Sequence, residues 1–321
     1  MKKYFSLLVV LVVMLLSACG SVDTVQKEGK LKVYTTVFPY KSIIEQIGGS
    51  HVKVQSIYPK GIDIHTFEPT QKDSLRVAKS DIFIYSGKDL DPVGAKIANI
   101  AKDKTKVVSL VDEIKESDLL ASESHEHGDE HEHGDEHEHN DEHEEHNHGV
   151  HDPHIWLDPV FNKSFAKTIK DELVAKDKKH KKDYEENYNN LIKDLDSIDN
   201  KLKDITKNKK HDTVYISHDS LGYLAHRYGF MQEGVSGMNN EEPSQSDIIN
   251  MINNIDKSKA SVILYEQNIP SKTTDIIKNK TNAKTVRFHN MAVLTKDDKE
   301  NITYQQLMED NIKAIDEALN K

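Results

Sequence analysis

Histidine and acidic residues are concentrated in one stretch near the middle of the chain. Eleven of the 18 histidines lie between His125 and His154, in repeats such as His-Glu-His-Gly-Asp-Glu. Residues 123–152 contain 13 Asp or Glu and no Lys or Arg, and removing these 13 charges from the net charge of −11 leaves +2 for the remainder. Neutral imidazole suits Zn²⁺, Cu²⁺ and Ni²⁺. We interpret residues 122–150 as a disordered insert that collects metal ions, the alternative being a solvated low-complexity loop.

Four further candidate ligands lie outside this insert. His65 is in a loop after a predicted strand, His154 comes just after the insert, and His218 and Glu266 each follow a predicted strand. Because ligands gather at the carboxyl ends of parallel strands, a cleft between the two halves of the chain would bring these side chains together. Three imidazoles and one carboxylate can complete a tetrahedral shell for Zn²⁺. We therefore predict that all four are metal ligands.

The elements that must position these residues alternate between strand and helix, first before residue 110 and again after residue 210. Such repeats predict two α/β lobes, each built on a parallel sheet with helices on its faces. The predicted strands are 31–37, 52–58, 81–85, 106–110, 213–217, 261–265 and 284–287, and the predicted helices are 40–47, 71–79, 92–101, 220–228, 244–256, 272–280 and 303–319.

One long helix is predicted between the two lobes. From Tyr184 to Ile205 the apolar residues recur at alternating steps of four and three, which forms one continuous stripe. The 27 residues from His180 to Thr206 correspond to a rod of about 40 Å at 1.5 Å per residue. An isolated coiled-coil stalk is the alternative, but the position midway along the chain favours a spine that packs across both lobes.

The chain begins with a targeting segment. Two lysines, Lys2 and Lys3, precede the apolar run Phe5–Leu16, which has the length of a signal-peptide core and is short for a membrane span. Cys19, the single cysteine, follows the residues Leu-Ser-Ala. This ending resembles a bacterial lipobox, whose cysteine receives lipid such as palmitate; a plain signal peptide is the alternative. A lone cysteine excludes an intramolecular disulfide and a cysteine-based zinc finger.

Motifs along nearly the whole chain carry a resemblance to one family. They are the lipobox, HTFEPT (65–70), the His-rich insert, HDPHIWLDP (151–159), the long helix, SHDSLGYLAHRYG (217–229) and LYEQN (264–268). In this order they resemble the metal-binding subunits of bacterial ABC importers, the cluster A-I solute-binding proteins, and within them the zinc-uptake lipoproteins of the AdcA and ZnuA kind.

The resemblance implies two α/β lobes joined by a rigid helix, with the metal buried in the cleft between them. It places family ligands at His65, His154, His218 and Glu266. Because the manganese-binding branch typically has Glu where His218 stands, the resemblance implies zinc. The extra C-terminal domain of some close relatives is not expected. The predicted divisions are a signal peptide (1–18), a lipid-anchored tether (19–30), an N-terminal lobe (31–162), a helical region (163–210) and a C-terminal lobe (211–321).

We expect a monomeric Zn²⁺ receptor, anchored by Cys19 to the outer face of a bacterial cell membrane, that delivers zinc to an ABC permease. It is not expected to be an enzyme, and no basic patch indicates nucleic acid. A receptor for manganese or another divalent metal is the alternative within the family. An extracellular zinc hydrolase, with Glu266 or Glu68 as base, and a surface adhesin or zinc buffer are the alternatives outside it; no His-Glu-x-x-His motif supports the hydrolase.

Some neighbouring residues have a less specific interpretation. Glu68 and Asp158 either orient the ligating histidines or cap and brace loops. Trp156 packs near the candidate ligands. His289 is interpreted as an ordinary surface histidine.

Overall fold

A computed structural model of the chain describes residues 29–121, 151–269 and 272–321. The predicted signal peptide, Cys19, all but the last two residues of the tether and the insert 122–150 lie outside these ranges. Residues from Leu31 to Lys321 form one compact unit. Among the described helices, none combines the length and the apolar character needed to cross a membrane.

The first sheet has four parallel strands in the order β2-β1-β3-β4. Its central strand β3 is buried along its whole length, as a parallel sheet covered on both faces requires. The strands are Leu31–Thr35 (β1), Val52–Ser56 (β2), Ile82–Tyr85 (β3) and Lys106–Ser109 (β4). The helices that accompany this sheet are Phe38–Gly48 (α1), Gln71–Val77 (α2) and Pro92–Ala101 (α3).

The second sheet repeats this architecture with four parallel strands in the order β6-β5-β7-β8. The strands are Thr213–His218 (β5), Met231–Ser236 (β6), Val262–Glu266 (β7) and Lys284–Phe288 (β8). Two helices precede this half in the chain, Pro159–Lys176 (α4) and Lys181–Thr206 (α5). The helices within it are Gly222–Tyr228 (α6), Gln245–Ser258 (α7), Lys272–Lys280 (α8) and Tyr304–Asn320 (α9). The predicted fold class, two parallel-sheet α/β lobes with a long linking helix, is confirmed.

Helix starts follow local rules that can be read from the sequence. Capping boxes open α2, α7 and α9, where the hydroxyls of Thr70, Ser244 and Thr303 accept from the backbone three residues on. Proline is the first residue of α3 and of α4, a first-turn position where a backbone N–H would have no partner within the helix.

The long helix α5 packs against both halves of the molecule. Its apolar stripe is buried, with Leu195 and Leu202 fully inaccessible to solvent. At one end Asn187 Nδ2 donates to the carbonyl of Ile47 in α1 (3.1 Å), and at the other end the carbonyl of Ile205 accepts from Asn320 in α9 (2.9 Å). The helix is therefore a spine with partners on either side, and not an isolated stalk.

The structure differs from the sequence-based assignment in two elements. Strand β6 was not predicted, because its sequence MQEGVS is polar and contains a glycine, as suits a partly exposed edge strand. Helix α4 was predicted only as part of an undivided helical region. The domain boundaries given above remain predictions.

Candidate metal centre

His65 is presented by a short 3₁₀ turn after the end of β2. The turn, Ile64–Thr66, is capped by Asp63, whose Oδ1 accepts from the backbone N–H of His65 at 3.0 Å. The other oxygen of Asp63 accepts from Asn240 Nδ2 at 3.2 Å, which links this loop to the C-terminal half. Burial and the neighbouring His218 lower the pKa of His65 well below its ordinary value. The ring is therefore neutral, which is the form that binds metal.

His154 begins a second 3₁₀ turn, His154–Leu157, and is oriented by Asp152. Asp152 Oδ1 accepts from both the backbone N–H and the ring Nδ1 of His154, each at 2.8 Å, and both residues are about 1% exposed. Because Nδ1 carries the proton, Nε2 keeps its lone pair, and this buried atom has no hydrogen-bond partner within the described part of the chain. Such a nitrogen is ready to accept a metal ion.

His218 and Glu266 are the last residues of the adjacent central strands β5 and β7. The sequence had predicted that each of them follows its strand by one residue. Both are fully buried, and His218 Nδ1 lies 3.2 Å from Glu266 Oε2. Ser220 Oγ donates to Glu266 Oε1 at 2.8 Å, and Ser217 Oγ donates to Oε2 at 3.2 Å. The paired strand ends thus fix the carboxylate against the ring.

The contact between His218 and Glu266 favours their charged forms. Burial opposes both charges, but their mutual attraction outweighs it, so the pKa of His218 rises to about 9 and that of Glu266 falls below its ordinary value. The protonated ring donates on its other side to the carbonyl of Met238, 2.8 Å from Nε2. His218 must lose one proton before it can bind a metal ion.

The three imidazoles converge from these three elements. One ring nitrogen from each of His65, His154 and His218 lies within 4.8 Å of the others, and the ring centroids are 4.9–5.9 Å apart. Within the described ranges, this is the one group of three or more metal-ligating side chains with such spacing. Glu266 is not a member of this group and lies against His218.

The cavity beside the rings is small. Its volume is about 10 Å³, and its walls include Ile62, Trp156 and Ile269 together with His65 and His154. This is roughly the room needed by a single water molecule, so the cavity suits an ion better than an organic substrate.

The residues around the ligands fall into distinct roles. Asp158 caps α4 by accepting from Val160 N–H and pairs with Arg227, so it braces the chain. Glu68 is exposed. The interpretation of His289 as a surface residue is wrong, since it is 4% exposed and hydrogen-bonded on both ring nitrogens. Asp152 was missed, although a carboxylate two residues before a candidate ligand is a recognisable signal.

Comparisons with known proteins agree with this fold and identify the family. The sequence model of the family described as "ZnuA: Zinc-uptake complex component A periplasmic" matches residues 33–318. The high-affinity zinc uptake system protein ZnuA of Bacillus subtilis is 29% identical over 325 residues, covering 99% of this chain and 98% of that protein. The zinc-binding lipoprotein AdcA of Streptococcus pneumoniae R6 is 28% identical over 330 residues, and the match covers 62% of its length.

The fold also matches solved structures. The Zn(II)-bound ZnuA-like domain of Streptococcus pneumoniae AdcA superposes with a TM-score of 0.73 over 91% of this chain and 100% of that domain, at 23% identity. At this identity the likeness supports the fold alone. The match of the family model across nearly all of the chain is decisive, and the chain therefore belongs to the ZnuA family of zinc-uptake components.

Proposed function

We propose that the chain is an extracytoplasmic receptor that binds one Zn²⁺ between its two lobes and delivers it to an ABC permease. One observation carries the proposal: three buried or half-buried imidazoles from separate elements place their ring nitrogens within 4.8 Å of one another. Three histidines and a carboxylate together would fill the four positions of a tetrahedral zinc shell, which a binding site needs. Membership of a zinc-uptake family supports zinc as the cargo and a membrane permease as the partner.

The proposed ligands are His65, His154, His218 and Glu266. Neutral His65 and the free Nε2 of His154 are available without rearrangement. His218 joins them after it loses a proton, and Glu266, 3.2 Å from that ring, is the fourth ligand after a small shift of its carboxylate. Four protein ligands leave no position for an activated water, which a zinc hydrolase requires.

The chain is proposed to act as a monomer at the outer face of the cell membrane. Cys19 would carry the lipid, as the lipobox-like sequence predicts, and the relative AdcA is named a lipoprotein. Zinc release would need a change in the contacts between the lobes, imposed by the permease. The insert 122–150 would raise the zinc concentration at the cleft. The two residues that flank it, Ala121 and His151, form a β-bridge, and His151 lies only three residues before the candidate ligand His154.

Calorimetric zinc titration tests the proposal. The full chain is compared with a variant in which residues 123–150 are replaced by a short Gly-Ser link, which the pairing of Ala121 with His151 allows. We expect one tight site in both proteins and additional weak sites only in the full chain. Loss of the tight site on deletion would move the function to the insert and contradict the four-ligand site.

Single substitutions test the ligands themselves. His65→Ala, His154→Ala and His218→Ala should each abolish tight zinc binding, whereas His226→Ala, on the exposed side of α6, should not. A parallel titration with Mn²⁺ addresses the alternative cargo, and tighter binding of Mn²⁺ than of Zn²⁺ would contradict the zinc assignment. Tight binding that survives two of the three substitutions would show that the metal lies elsewhere.

A further inference from the structure

A segment of the C-terminal half crosses to the N-terminal half beside the metal centre. This crossing segment, residues 289–298, follows β8 and hydrogen-bonds to N-terminal backbone at two separate places. Phe38 N–H donates to the carbonyl of Ala292 at 3.1 Å, and Gly61 N–H donates to that of Leu294 at 2.8 Å. The segment is therefore a physical connection between the two lobes, and it lies next to the cavity that borders the candidate ligands.

A buried histidine, His289, hydrogen-bonds to two other residues of the crossing segment. His289 Nδ1 accepts from Met291 N–H at 3.0 Å, so its other nitrogen carries the proton and donates to Asp298 Oδ2, 3.0 Å away. Met291 is fully buried and has a φ of +59°, a conformation that is uncommon for a residue with a long side chain. Strained backbone of this kind persists only where surrounding contacts enforce it, and it is typical of ligand clamps and switch regions.

Asn290 links the two parts of the metal centre through this segment. Its backbone carbonyl accepts from Trp156 Nε1 at 2.9 Å, two residues beyond His154. Its side-chain Oδ1 accepts from Gln267 Nε2 at 3.2 Å, and Gln267 directly follows Glu266. A continuous path of covalent and hydrogen bonds thus joins a candidate ligand of the N-terminal half to a candidate ligand of the C-terminal half.

The orientation of Gln267 in this path is determined by its partners. Its Nε2 contacts His289 Nδ1 at 2.8 Å as well as Asn290 Oδ1, and both atoms are acceptors, so the nitrogen of the amide must face them. His289 Nδ1 also accepts the backbone N–H of Met291, and Asn290 Oδ1 also accepts that of Ala292. Gln267 can therefore be removed without leaving either acceptor unpaired, which indicates that its contacts are not needed to satisfy the fold.

We propose that Gln267 and Asn290 are positioning residues that slow zinc release by tying the end of β7 to the turn that carries His154. Separation of the lobes must move the His154 turn away from the Glu266 strand end, and this movement must break either the Trp156–Asn290 or the Gln267–Asn290 hydrogen bond. Cutting the link should leave zinc capture unchanged and accelerate escape. The inference rests on the proposed receptor function.

The test measures zinc release from the full chain, loaded with zinc and mixed with excess chelator in a stopped-flow instrument. Gln267→Met removes both donors at nearly constant volume. We expect the slow phase of release to accelerate about threefold to tenfold, which lies within the range of about twofold to thirtyfold for substitutions along a coupling network. The association rate should be unchanged, which a general loss of structure would not produce.

Gln46→Met is the matched control. The Nε2 of Gln46, like that of Gln267, donates to two side chains, here those of Ser42 and Gln305, and Gln46 Oε1 accepts from Gln305 in return, which joins α1 to α9. This variant should lose thermal stability but release zinc at the unaltered rate. Equal acceleration in both variants would overturn the inference, because the effect would then follow stability alone.

A second variant, Asn290→Ala, cuts the same link from its other side. The double variant of Gln267→Met and Asn290→Ala should release zinc no faster than either single variant, because residues in one path are not additive. Multiplied effects, or an unchanged slow phase in both single variants, would overturn this inference alone. Absence of any slow phase in the unaltered chain would overturn the receptor function as well.

Discussion

The carboxylate of Asp152 lies 2.8 Å from Nδ1 of His154, and both side chains are buried beside the proposed metal site. This contact selects the tautomer of the imidazole, since the proton is held at Nδ1 and the lone pair of Nε2 is directed away from the carboxylate. Asp152 Oδ1 also accepts the backbone N–H of His154, so ring and backbone are oriented by the same atom.

The first prediction concerns this pair. Asp152→Asn should weaken zinc binding by about 10- to 100-fold, the usual effect of losing a partner that orients a ligating histidine. Asp158→Asn, in the same motif, is the control: it keeps a side-chain oxygen that can cap the helix but removes the charge that pairs with Arg227, so it should lower the melting temperature but leave zinc affinity nearly unchanged. Competition titration with a chelator measures the affinity, and equal affinity losses in the two variants would contradict the assigned role.

The second prediction concerns Glu266, whose carboxylate contacts one of the three rings. In Glu266→Gln the amide oxygen can accept from one of the two hydroxyls that Glu266 now binds, those of Ser217 and Ser220, and the amide nitrogen can donate to the other, so the metal-free fold should survive. Zinc affinity should fall at least about tenfold, because a negative ligand is lost. Glu233→Gln, in neighbouring β6, supplies the same substitution outside the site, and an affinity loss no larger than in this control would remove Glu266 from the ligand set.

The third prediction concerns pH and the spine helix. Asp199, on α5, accepts from Tyr228 at 3.0 Å and from Lys203 at 2.9 Å. Burial opposes the ionisation of Asp199, but these hydrogen bonds outweigh it and hold its pKa below the ordinary value. Its contribution to stability is therefore present above the unfolded pKa, about 4, and is lost as pH falls through the lower folded pKa.

Asp199→Asn should accordingly reduce the free energy of unfolding at pH 7 by about 1–3 kcal/mol. The difference from the unaltered chain should shrink as the pH falls below about 4. Asp196→Asn, one turn away and about half exposed, removes a surface ion pair with Lys163 and should change little. Thermal melts of the metal-free protein across this pH range provide the measurement, and a pH-independent loss for Asp199→Asn would contradict the assigned cause.

The fourth prediction tests whether burial of the apolar stripe of α5 stabilises the packing of both halves. Leu195 is fully buried in α5, and Leu195→Ala should reduce the free energy of unfolding by about 2–5 kcal/mol through lost burial and the cavity left behind. Ser197→Ala, exposed on the same helix, should have almost no effect. Denaturant titration compares the two, and similar midpoints would mean that the apolar stripe does not hold the lobes together.

Much of the architecture follows from patterns within short stretches of sequence. Alternating strand and helix signals predict both parallel sheets, and the four-three spacing from Tyr184 to Ile205 predicts the spine, because an apolar stripe of that length needs a partner along its whole length. Strand β6 could not be predicted from such patterns. Its sequence has little apolar character, and only pairing with β5 makes it a strand.

The candidate ligands could be predicted from residue type and from the ends of predicted strands, since His and Glu at such ends are directed toward the cleft. Their partners could not. The role of Gln267 depends on His289 and Asn290, 22 and 23 residues away, and the Trp156–Asn290 bond joins residues 134 apart. His289 itself has no local signal of burial.

The sequence by itself determined the fold class, the spine, and which residue types could hold a metal, because hydrophobic period and ligand chemistry are local properties. Only the tertiary structure decided that three imidazoles converge while Glu266 faces His218, that Asp152 sets the tautomer of His154, and that a crossing segment joins candidate ligands of the two lobes. These are consequences of hydrogen bonds between distant parts of the chain, and such pairings exist only once the lobes have packed on the spine.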